Sequence, residues 1–71
     1  MFIVIEIQTA KNGSVATLTW QYDSLNSAEA KYHSVLAAAA AVSSLPCHAA
    51  CILTNAGTIV KSEFYRHEEG A

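Results

Sequence analysis

MFIVIEIQTAKNGSVATLTWQY, residues 1–22, reads as two strands around a turn. Ile3, Ile5 and Ile7 alternate with Glu6 and Gln8, while Val15 to Tyr22 is rich in β-branched and aromatic residues, the period-2 pattern of a strand. Asn12-Gly13 lies between them, and Asn-Gly in a two-residue type I′ loop is a strong short-range hairpin signal. That loop sets Lys11 opposite Ser14, then Thr9 opposite Ala16, Ile7 opposite Leu18, Ile5 opposite Trp20 and Ile3 opposite Tyr22, all directed to one expected core face.

Outward from this hairpin, Asn26 with Glu29 three residues later has the form of a capping box, predicting a helix from about Ser27. The alanines of 37–41 continue it until Pro46 excludes helical geometry at Leu45. At about 100° per residue, Ala28, Tyr32, Val35, Leu36, Ala39 and Val42 form the stripe expected to lie on the sheet. Cys47–Leu53 and Thr58–Arg66 read as two further strands joined across Asn55-Ala56-Gly57, which fits a two-residue loop or a type I turn with a glycine bulge. Cys47, Ala49, Cys51 and Leu53 are expected inward, matched by Val60, Ser62 and Phe64.

These elements predict an α+β fold of order ββαββ: two β-hairpins flank one helix, and a four-stranded, mainly antiparallel sheet carries that helix on one face. Residues 1–66 form the single domain, and 67–71 are expected to be a loose tail. At 71 residues there is room for one small core, and 52% hydrophobic against 14% charged residues excludes a disordered or solvating chain. A net charge of -2 lacks the basic stripe of a nucleic-acid module, so no nucleic-acid partner is expected. The apolar start has no basic region ahead of it and is broken by Glu6, and Val35–Val42 is too short to span a bilayer. No membrane partner is expected, and a cytoplasmic setting follows, with both cysteines reduced.

A sheet of this kind leaves one face uncovered, and on the register above that face carries Phe2, Val4, Ala50, Ile52, Ile59 and Tyr65. An apolar patch of that size is unfavourable in water, so a homodimer or larger closed assembly is expected, with Phe2, Val4, Ile52, Ile59 and Tyr65 as the interface. The alanine- and serine-rich outer side of the helix is a second possible contact.

Chemical signals are sparse. Cys47 and Cys51 stand four apart on a strand, about 13 Å from each other, too far for a disulfide, and His48 between them points to the other face. They are expected to be small core residues, not a metal site. His33 one turn after Glu29 has the spacing of an acid–base pair, but no nucleophile, ligand cluster or phosphate loop accompanies it, and a surface pair is the simpler expectation. Lys61, Glu63 and His67 have the alternation of a solvated edge strand. Trp20, Tyr22 and Tyr32 are expected to pack, not to stack bases. No catalytic residue, cofactor or metal is expected.

MFIVIEIQT at the start, AEAKYH with the alanines after it, PCHAA, and IVKSEFY at the end together resemble small proteins, without established activity, encoded by prophages and other mobile elements of gut Firmicutes. The resemblance spans nearly the whole chain. It implies a phage accessory role and supplies no site residues. The leading expectation is a non-enzymatic, self-associating interaction protein that meets itself or a host or phage protein. The alternatives are an anti-defence inhibitor of a host nuclease system, and a ligand-binding or enzymatic pocket between protomers lined by His33, His48 or Glu29.

Overall fold

The structure is a computed structural model, which describes residues 1–42 and 44–67. The chain runs β1 (Phe2–Thr9), β2 (Val15–Tyr22), α1 (Leu25–Ala41), β3 (Cys47–Thr54) and β4 (Ile59–Arg66). The four strands form one antiparallel sheet in the order β2-β1-β3-β4 with the helix on one side, the expected ββαββ arrangement of the α+β class.

Both hairpins turn in the same way. Gly13 N–H donates to the Ala10 carbonyl and Ala10 N–H to the Ser14 carbonyl; Gly57 N–H donates to Thr54 and Thr54 N–H to Thr58. Each loop therefore has three residues, a type I turn closed by a glycine bulge, with φ of 88° at Gly13 and 87° at Gly57. Asn12 does not take positive φ; its side chain instead accepts from Ser14 N–H at 2.9 Å. The expected type I′ loop at Asn12-Gly13 is thus one residue too short. Val4 faces Trp20 and Ile5 faces Thr19, a slip of one that turns the β1 side chains to the opposite face from that expected. In the second hairpin a bulge between Ile52 and Leu53 offsets the longer loop, so Cys51 pairs with Ser62 and Ala49 with Phe64 as the sequence predicts.

The core lies on the side of the even residues. Val4 and Ile52 are fully buried opposite each other, with Ala50 beside Ile52 on β3, against Ala28, Tyr32, Val35, Leu36 and Ala39 of the helix. Phe2, Trp20, Tyr22 and Leu25 pack around this cluster. The helix stripe is the expected one except for Val42, which caps the helix and is exposed. At 17 residues the helix is about 25 Å long, matching strands of eight residues, about 26 Å.

The face assignment is therefore corrected. Val4 and Ile52, expected at an uncovered interface, are the most deeply buried large side chains, and Phe2 packs on the same core. Tyr65 also sits on the helix side, opposite His48. Ile59, displaced by the bulge, pairs with Leu53 and is exposed on the open face. Conversely, Ile3, Ile5, Ile7 and the Cys47-Ala49-Cys51-Leu53 row, expected inward, face away from the helix. The cause is topological. β2, α1 and β3 make a crossover that passes over β1, and such crossovers are right-handed. For L-residues that path brings the helix to the face carrying Trp20 and Tyr22, and the three-residue turn places Val4 on it.

The ends of the helix differ too. Ser24, not Asn26, is the N-cap: its hydroxyl accepts from Ser27 N–H at 3.2 Å. Ser24 follows the last strand residue by only two positions, so the helix begins at Leu25 and ends at Ala41, before Pro46 constrains it. His67, assigned to the loose tail, is held: its backbone donates to Pro46 and its Nε2 to the Ala39 carbonyl at 2.8 Å. The rest of that tail, 68–71, lies outside the described residues.

Candidate functional site

The surface that distinguishes this chain is the sheet face turned away from α1. The register assigns to it Ile3, Ile5 and Ile7 from β1, Ala49, Cys51 and Leu53 from β3, Phe64 from β4, and Thr17, Thr19 and Gln21 from β2. Strand alternation normally puts the charged residues of a one-helix sheet on its solvent side. Here the arrangement is reversed: of the charged strand residues, Glu6, Lys61 and Glu63 share the helix side and only Arg66, at a corner, belongs to the open face. Phe64 is 59% exposed, with the Arg66 guanidinium 5.8 Å from its ring centre. Ile7, Ala49, Cys51, Ser62 and Phe64 border a shallow depression of about 370 Å³.

On the other side, Glu6 and Lys61 each have an ionic partner. Lys61 Nζ donates to Glu29 at 2.9 Å, so Glu29 serves β4 instead of His33. His33 is exposed and its ring lies edge-on to Tyr32, with ring centres 5.4 Å apart. Lys31 lies over Trp20, 4.0 Å from the ring centre, a cation–π contact.

A polar cluster at the flank of the core went unseen in the sequence. His48, 3% exposed, donates from Nε2 to Glu6 Oε2, which also accepts from Gln8 Nε2 at 2.9 Å. Burial alone raises the Glu6 carboxyl, but the hydrogen bonds from Gln8 and His48, with the nearby charges of His48 and Lys31, outweigh it and hold the group below its ordinary value. His48 Nδ1 is buried with no partner among the described residues. Glu6 and His48 lie diagonally across adjacent strands, and only the β1–β3 pairing, a contact between residues 42 apart, brings them together.

The remaining candidates carry little chemistry. Cys47 and Cys51 are free and half-buried on the open face, not in the core as expected, and burial raises the Cys51 thiol, which disfavours the reactive thiolate. Among the described residues no three His, Cys, Asp or Glu side chains converge as metal ligands. Tyr32 is buried, and Trp20 and Tyr22 pack beside it, as the sequence predicts. His33 and Glu29 lie on the helix and His48 on the covered face of β3. Among the described residues no helix is long and apolar enough to cross a membrane. Compared with family models, curated proteins and solved structures, the chain matches none.

Proposed function

We propose that this protein is a non-enzymatic, self-associating interaction module whose open sheet face packs against the same face of a second copy. The observation that carries this reading is the segregation of charge: the sheet side without a helix is the side without acids, and its centre is a row of three isoleucines flanked by Leu53 and Phe64. Such a face is self-complementary about a two-fold axis because it brings no like charges together at its centre. Four eight-residue strands offer about 500 Å² of flat surface per copy, so two copies enclose about 1,000 Å², the lower range of specific interfaces. In the setting implied by the sequence resemblance, the module acts in the cytoplasm as a phage accessory factor, and its assembled form is what meets a host or phage protein.

Sedimentation velocity at micromolar concentration tests this. The parent chain is expected to sediment as a dimer or larger, while Ile5→Lys and Phe64→Lys, which alter open-face side chains only, lower the mass of the assembly and leave the circular dichroism of the fold unchanged. Lys61→Ala removes a surface ion pair on the helix side and is expected to change neither. A parent chain that sediments as a monomer would end this reading.

A further inference from the structure

The two edges of the sheet are unlike. β4 carries Lys61, Glu63 and Arg66 and meets a register shift between Ile52 and Leu53, features that make an edge a poor template for another strand. β2 has neither. Its eight residues, VATLTWQY, contain no charge and no proline and pair with β1 in unbroken register. The direction of its backbone groups follows from the first turn. Because Ala10 N–H bonds the Ser14 carbonyl, antiparallel alternation makes Gln8–Ala16, Glu6–Leu18, Val4–Trp20 and Phe2–Tyr22 the hydrogen-bonded pairs. Val15, Thr17, Thr19 and Gln21 therefore aim N–H and C=O away from the sheet, at the free edge. α1 packs mainly over β3, and beyond its cover Leu18 is 41% exposed and Val15 61%.

We infer that β2 pairs antiparallel with β2 of a second copy about a two-fold axis at Leu18, joining two sheets into one of eight strands. Opposite residues of an antiparallel pair share a face, so odd positions must meet odd and even meet even. An axis at Leu18 satisfies this: Leu18 meets its own copy, Thr17 meets Thr19, Ala16 meets Trp20 and Val15 meets Gln21. The hydrogen-bonded pairs are then the odd ones, whose groups already point outward, and both exposed apolar side chains of the strand gain contacts. An axis at Thr19 also keeps parity, but it sets Val15 opposite Asp23, outside the strand. The absence of charge along β2 means that no repulsion opposes the pairing. This contact is separate from the open face; both together lay two eight-stranded sheets face to face with helices outside, a closed tetramer.

Disulfide trapping tests the edge and its register. In a Cys47→Ala/Cys51→Ala background, Leu18→Cys places two thiols at a close, non-hydrogen-bonded pair, about 4.5 Å between Cα atoms and within disulfide reach. Mild oxidation is expected to double the apparent mass on a non-reducing gel, while Ala16→Cys, whose own copy lies four residues away along the partner strand, stays a single chain. Equal trapping at both positions, or none at position 18, would overturn the inference. As a second probe, Thr17→Cys mixed with Thr19→Cys is expected to cross-link, with failure again counting against it. Adding Ile5→Lys separates the two contacts: trapping at position 18 persists if the edge pairs on its own, and its loss would overturn edge pairing as an independent contact.

Discussion

Glu6 and His48 show how much a single polar pair can depend on its surroundings. Glu6 sits among isoleucines in the sequence, and alternation alone assigns it to water; instead its carboxylate lies beside the core, bound by Gln8 and His48. Because the folded carboxyl titrates below its ordinary value of 4.5, ionised Glu6 favours the folded chain. That contribution is complete above pH 4.5 and is lost as pH falls through the lower folded value. Thermal melts between pH 6 and pH 3 are expected to show the parent losing more stability than Glu6→Gln, which has no proton to take up there. A parallel decline of the two melts would assign the acid sensitivity to other groups. Cys47 and Cys51 make the complementary point, since their spacing along the strand settles that they cannot bridge each other whichever face they occupy.

At the scale of elements, local chemistry read from the chain was correct in kind and displaced in detail. All four strands and the helix lie where periodicity puts them, yet the helix starts two residues earlier than Asn26 implies. Asn26 has the residue type of a cap, but the short path from Tyr22 into the helix selects Ser24. Ser24→Ala is expected to lower stability by about 1 kcal/mol, the ordinary worth of a cap, and Asn26→Ala by much less. Chemical denaturation of both variants measures the difference, and equal losses would refute the assignment. The first turn shows the same limit. Asn-Gly marks a hairpin in both the two-residue and the three-residue loop, since glycine supplies positive φ in either. The choice between them moves the register by one and the side chains by a whole face.

For the whole molecule, one helix on a sheet apolar on both sides leaves one apolar face uncovered, and the proposed association would link folding to assembly. The melting temperature is expected to rise with protein concentration, because mass action favours the associated folded form. Ile5→Lys should weaken that dependence, since it removes the open-face contact and leaves the edge contact, and a concentration-independent parent would show the fold to be self-sufficient. The element order, the positions of both hairpins, the buried stripe of the helix and the apolar character of both sheet faces are legible in the chain, because each rests on spacing within a few residues. Which face the helix takes, and with it the burial of Val4 and Ile52 while Ile3, Ile5 and Ile7 look outward, emerges from long-range packing. The physical reason is that the choice is made by a loop one residue longer than the shortest allowed and by the right-handed path from β2 over β1 to β3. Both faces are nearly equal in hydrophobicity, so no count of apolar residues distinguishes them.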